Sequence, residues 1–267
     1  MSLTSATSRI AGRFLAARRA AAGLESYPGN FPATLDEAYA IQDEAIASWG
    51  RPVIGWKVGR VLPPLSDRFG TDRLGGPIFA RTNASGNGAP VEMPIFAEGF
   101  AAGESEFLLR IGAPPPEGKM DFTLDETADL IDAVRVGIEI ASSPLAAIND
   151  LGPIAVISDF GNNNGLVVGP EIPNWRSSGF EHWPVATFID GVEVGTGTAS
   201  DFPDGAIGAA RFLFELMARR GILLSAGQWI SSGAVTGVHR AHPGQSVEAR
   251  FNGQYSVGCK LVAAQSE

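Results

Sequence analysis

Apolar residues recur at helical spacing near the N-terminus and in two later stretches, and alternate with period two through much of the rest. An alanine-rich run from about Ser5 to Ala22 mixes Arg9, Arg13, Arg18 and Arg19 among its apolar positions, which predicts an amphipathic surface helix. A second helix opens at T-L-D-E, where Thr34 can cap the first turn and Glu37 can reach back to complete a capping box. Leu35, Ala38, Tyr39, Ile41, Ala45, Ile46 and Trp49 then form one apolar face. The same tetrapeptide from Thr123 to Glu126 predicts a short helix toward Ala133. Another begins after Pro203 and runs through Ile207, Phe214 and Met217 to a glycine stop at Gly221.

Alternation predicts strands at Val53–Val58, Glu104–Ile111, Val134–Ala141, Gly165–Val168, Val185–Ile189, Gln228–Ser231, Ser246–Phe251 and Ser256–Val262. Asp190-Gly191 and Asn252-Gly253 are hairpin turns, and Ala113–Glu117 is a Pro-rich surface loop. Strands outnumber helices without βαβ alternation, so the fold class is α+β. One domain over residues 1–267 is the simplest organisation, with a helical segment at 1–50 and a β-rich core at 51–267.

Composition narrows the function. A net charge of −9 argues against gripping nucleic acid or anionic lipid by bulk electrostatics. The single cysteine, Cys259, forms no internal disulfide and no thiolate-rich zinc site. With no secretory signal and no apolar run near the roughly 20 residues a bilayer needs, a cytoplasmic protein is expected. There is no G-x-S-x-G, no P-loop and no strand-to-helix G-x-G-x-x-G. Of the three histidines, His239 and His242 sit beside Pro243-Gly244 and read as a surface turn.

Carboxylates carry more. Glu104 and Glu106 lie two apart in a strand and project from one face, either as a solvated strand face or as paired ligands. Glu139 sits in V-R-V-G-I-E-I-A, apolar enough for burial on both faces, so its carboxylate needs a cation. Arg135 is one partner, although four residues along a strand separate it by roughly 13 Å. A divalent metal shared with Glu104 and Glu106 is the other, and oxygen ligands suit Mg²⁺ or Mn²⁺. Lys57, in G-W-K-V-G, shares its face with Gly55 and Gly59. It is either a solvated lysine on an edge strand or a catalytic residue, an ammonium with room for a ligand carboxylate that can also serve as acid or base.

The order A-Y-A-I-Q (Ala38 to Gln42), I-G-W-K-V-G (Ile54 to Gly59), E-x-E and G-I-E (Gly137 to Glu139) resembles the 2-keto-4-pentenoate hydratase family. That family includes 2-oxohept-3-ene-1,7-dioate hydratases and 4-oxalocrotonate decarboxylases, within the fumarylacetoacetate hydrolase superfamily. D-F-G-N-N-N-G (Asp159 to Gly165), V-G-T-G (Val194 to Gly197) and S-G-A-V-T-G (Ser232 to Gly237) extend the likeness from about Leu35 to Val262. The resemblance implies a curved mixed β-sheet closed into a barrel-like roll, with peripheral N-terminal helices and a site at its mouth. It implies Mg²⁺ or Mn²⁺ on Glu104, Glu106 and Glu139, Lys57 reaching the site, and substrate contacts from Asp159, Asn163, Ser232 and Gly233. It also implies a homo-oligomer. The implied activity is hydration of a 2-hydroxy-2,4-dienoate in the meta-cleavage breakdown of aromatic compounds. Alternatives are decarboxylation of a vinylogous 2-oxo acid, C–C hydrolysis, or oxo-acid binding without catalysis. One departure stands out: where the family carries P-D-[FY]-G, this chain has R-L-G-G, so Leu74 replaces an aspartate proposed as acid/base. Asp72, two residues away, is the expected substitute.

Overall fold

The computed structural model of the chain describes residues 3–84 and 90–267. Two helices come first, α1 (Leu3–Ala20) and α2 (Leu35–Trp49). β1 (Gly55–Arg60), α3 (Leu65–Phe69), β2 (Arg73–Ile78), β3 (Arg81–Asn83) and β4 (Val91–Ile95) follow. The long strands β5 (Phe100–Ile111) and β6 (Ile131–Ser143) flank α4 (Leu124–Asp129). Next come α5 (Pro153–Ser158), β7 (Asn163–Glu171), α6 (Trp175–Ser178), β8 (Val185–Ile189) and β9 (Val192–Gly197). The chain ends with α7 (Gly205–Arg219), β10 (Trp229–Ser231), β11 (Ser246–Phe251) and β12 (Tyr255–Ala263).

Local chemistry sets several of these boundaries. Thr34 accepts a hydrogen bond from the Glu37 N–H, but the Glu37 carboxylate reaches Ala33 rather than Thr34. The second box, Thr123 with Glu126, closes fully. Its helix stops at Asp129, short of Ala133, because β6 already begins at Ile131. Positive φ at Asp190, Gly191, Asn252 and Gly253 shapes both hairpins as expected.

The strands make a mixed α+β fold with two sheets, ordered β2-β1-β10-β5-β6-β7-β3 and β4-β12-β11-β8-β9. Both sheets are open: closure into a barrel-like roll is not seen among the described residues. β1 and β10 run parallel and very close. A Cβ on Gly55 would lie 2.4 Å from the Trp229 carbonyl oxygen, so only glycine fits there. The two faces of β5 have different neighbours. Ser105 meets Thr187 of β8 at 2.6 Å and Phe107 packs edge-on against Phe251 of β11, so that face lies on the smaller sheet. Phe100 and Ala102, of opposite parity, join a cluster with Phe14, Ile41, Trp49 and Ala155 from α1, α2 and α5. Glu104 and Glu106 share this second parity and point away from the smaller sheet.

The α1 reading needs correction in one respect. The helix buries Ile10, Ala11, Phe14, Leu15 and Ala17, and with them Arg18. It is part of the packing, because a carboxylate inside the molecule receives that arginine. Strands β2 and β4 escape the alternation pattern because Gly75-Gly76-Pro77 and Pro94 interrupt them. Both are edge strands, where proline is tolerated.

Candidate metal and substrate site

β5 and β6 pair in a register that sets Glu104 directly opposite Glu139, with Glu106 two residues along. One carboxylate oxygen from each of the three lies within 4.8 Å of the others. All three side chains are buried, and like charges opposed across a ladder repel. Lys57 arrives from β1, with its Nζ 3.4 Å from Glu139 Oε2. The four formal charges therefore sum to −2, the deficit that one divalent cation neutralises.

Neighbouring groups orient these carboxylates. Ser231 Oγ and the Gly233 N–H both donate to Glu106 Oε2, at 2.6 and 2.8 Å. Asn163 Nδ2 donates to Glu139 Oε1 at 2.9 Å. Glu106 Oε1 and Glu139 Oε2 are buried without a hydrogen-bond partner. Buried oxygens without a hydrogen bond, an all-oxygen donor set and charge that the one ammonium does not balance fit Mg²⁺ or Mn²⁺, with positions left for water and a ligand.

Electrostatics follow from burial. Desolvation pushes the Glu104 carboxyl up to about 7, Lys57 opposes it and Glu139 reinforces it. Burial, then Glu139 and Glu104, hold Glu106 well above the usual carboxylate range. For Lys57, burial acts downward, but the three glutamates outweigh it and the ammonium is raised. The expected free space beside Lys57 is mostly taken. The β10 backbone occupies the Gly55 side, and the turn at Phe160-Gly161 lies on the lysine stem. A Cβ on Gly161 would stand 2.9 Å from Lys57 Cδ. Among the described residues, the Gly59 end opens into a cavity.

That cavity has a volume of about 630 Å³. Lys57 and Glu104 lie at its floor, and Leu74 forms part of its wall. Glu106 and Glu139 are not part of the lining.

Other expected residues are placed differently. Asp159 does not line the cavity: both its oxygens bind Arg18, at 2.5 and 2.9 Å, and Ser143 donates to it at 2.6 Å. Arg18 also donates to the Asn163 carbonyl and to the Asn164 side chain. It thus ties α1 to the segment that carries Asn163. Ser232 uses its backbone N–H on Phe107 O, while its neighbours Ser231 and Gly233 hold Glu106. Ser231 was missed, although its place at the end of a predicted strand beside the S-G pair was the available signal. Asp72 is exposed and lines a different cavity, with Tyr39 and Arg220. Asp72 lies just before β2, where its carbonyl accepts from the Val61 N–H. Arg135 pairs with Glu171 at 2.8 Å rather than with Glu139. His239 rests on the Thr236 carbonyl and His242 is exposed in a turn.

No family model matches the chain. Two curated relatives do: 2-keto-4-pentenoate hydratase of Paraburkholderia xenovorans (strain LB400) and 2-keto-4-pentenoate hydratase 3 of Pseudomonas putida. Each is 25% identical over 234 residues, 86% of this chain and 85% of the relative. Among solved structures, 4-oxalocrotonate decarboxylase from Pseudomonas putida G7, complexed with magnesium and adipate, superposes with a TM-score of 0.82. It is 19% identical, with 97% of this chain and 98% of that one covered. The chain shares its mixed α+β fold with this solved structure. The likeness read from the sequence motifs is borne out across most of the chain. A more distant match, fumarylpyruvate hydrolase from Pseudomonas aeruginosa with Mn²⁺ and pyruvate, has a TM-score of 0.57 at 14% identity. It covers 78% of this chain and 89% of its own.

Proposed function

We propose that the chain is a divalent-metal-dependent hydratase that adds water to a 2-hydroxy-2,4-dienoate, giving a 4-hydroxy-2-oxo acid in the breakdown of aromatic compounds. The observation that carries this reading is the buried Glu104–Glu106–Glu139 group, with Lys57 beside it, which meets a cavity through Glu104 and Lys57. The two hydratase relatives support it. A divalent cation held by the three glutamates would supply a Lewis acid for the substrate's carboxylate and 2-oxygen, countering the charge of a dienolate.

The chain's own groups have distinct parts. Asn163 fixes the rotamer of Glu139, while Ser231 and Gly233 fix Glu106, so their free oxygens converge. Lys57 is held in its charged form by the glutamates, which suits it as an electrostatic partner of the developing anion rather than as a base. Asp72 opens onto another cavity and has no part in this reading.

Leu74 favours a second reading. A wall without an acid or base there suits loss of CO₂ from a vinylogous 2-oxo acid, which draws on the same anion stabilisation without an activated water. Incubating candidate dienoates with Mg²⁺ separates the two. Loss of ultraviolet absorbance without CO₂ supports hydration, and CO₂ release supports decarboxylation. Ligands that bind but remain unchanged would refute both.

A further inference from the structure

The cavity above the glutamates has a chemical character that the proposed reaction alone does not require. Its volume of about 630 Å³ falls in the range that encloses drug-sized ligands, roughly 300–1,000 Å³. A five-carbon dienoate is far smaller. Above the Lys57 and Glu104 floor, the wall is mostly apolar, with Val61, Leu74, Val156, Phe202 and Val235, and its uncharged polar side chains are Asn149 and Asn162, which hydrogen-bond each other. Leu74 Cδ1 lies 3.2 Å from where a Gly59 Cβ would be, so its methyl group fills the space next to Lys57. The opening is apolar as well: Leu62 and Val238 both line it, and they are 57% and 51% exposed.

Charged side chains besides the floor are Arg60 and Asp201. Both are exposed and they oppose each other in sign, and the Arg60 guanidinium stacks on the Phe202 ring at 4.7 Å. Among the described residues, Arg60 is the one cation of this lining besides Lys57 and it is exposed, so a second carboxylate buried part-way up the wall would meet no buried cation, and burying an unpaired charge is costly.

We infer that the substrate carries an apolar substituent, alkyl or aryl, at the end remote from its 2-oxo acid group, and no second carboxylate near that group. This rests on the reading that the floor binds a 2-oxo or 2-hydroxy acid. Leu74 then has a positive role as the part of the wall that contacts the substituent.

Calorimetric titration of the Mg²⁺-loaded protein tests this with 2-oxobutanoate, 2-oxohexanoate, 2-oxooctanoate and 2-oxohexanedioate. Affinity is expected to rise about fourfold per added methylene, the increment for burying one such group. The diacid is expected to bind at least tenfold more weakly than 2-oxohexanoate. Val156→Asp, shown by circular dichroism to be folded, should flatten the chain-length dependence while leaving 2-oxobutanoate binding within a few-fold. Affinity independent of chain length, or a diacid that binds as tightly as 2-oxohexanoate, would overturn the inference and leave the floor assignment standing. If no 2-oxo acid binds at any length, the floor assignment itself falls and this inference with it. The wild-type series decides the matter even if Val156→Asp does not fold.

Discussion

The metal-free protein is expected to become more stable as the pH falls from 8 to 5, opposite to the Mg²⁺-loaded form. Glu104 titrates near 7 in the folded chain against an ordinary value of 4.5. Between those values the folded state holds a proton that the unfolded state has released. Stability is therefore gained as the pH drops through 7, and the gain is complete below 4.5. At about 1.4 kcal/mol per unit, Glu104 alone contributes on the order of 3 kcal/mol. Glu106 is shifted in the same direction and adds to it. For a chain of this size the change corresponds to roughly 5–10 °C in Tm. With saturating Mg²⁺ the sign reverses, because cation binding requires the deprotonated carboxylates and protons compete for them. Differential scanning calorimetry from pH 5 to 8, in EDTA and in Mg²⁺, reads both slopes. Glu104→Gln isolates the site from the exposed carboxylates: in EDTA it should raise Tm at pH 8 and flatten the pH dependence. An EDTA slope that matches the Mg²⁺ slope in sign, or that survives unchanged in Glu104→Gln, would refute the argument.

Further substitutions probe the neighbouring groups. Glu106→Gln and Glu139→Gln should each lower Mg²⁺ affinity at least tenfold by calorimetry, and unchanged affinity in both would defeat the metal assignment. Lys57→Met should lower kcat far more than it raises KM, whereas a loss confined to KM would make Lys57 a carboxylate anchor only. Arg18→Met leaves Asp159 buried without its cation, a loss on the order of 3–5 kcal/mol by urea denaturation. The same variant should weaken Mg²⁺ binding through Asn163, and a folded Arg18→Met with wild-type affinity would show that α1 has no part in holding the site.

The sequence made the strands and the carboxylates legible, but not their meeting. Val185–Ile189 and Ser246–Phe251 appear in the fold with the bounds that alternation predicts, because each has one face on the core and Asx-Gly turns nearby. The E-x-E spacing placed Glu104 and Glu106 on one face, and the apolar run around Glu139 called for a cation. That the cation is Lys57 depends on the order β1-β10-β5-β6, in which a three-residue strand from late in the chain is inserted between early ones. No local pattern encodes that insertion. The departure at Leu74 was visible as a residue identity. Its meaning as a wall came only with the cavity, and the same geometry removed Asp72, which sequence proximity had favoured.

Asp159 shows why spacing alone could not separate a binding carboxylate from a structural one. Buried acids in one interior are distinguished by the cations that answer them. Asp159 has a guanidinium of its own, with both oxygens and a serine hydroxyl engaged, so nothing remains to hold a ligand. Glu104, Glu106 and Glu139 share a single ammonium, and Glu106 Oε1 and Glu139 Oε2 have no hydrogen-bond partner. The arginine that satisfies Asp159 comes from α1, far away in sequence and on a helix whose pattern reads as surface. By occupying Asp159, Arg18 keeps that charge out of the cavity. The electrostatic deficit is thereby confined to the three glutamates, where a divalent cation and an anionic substrate group can use it.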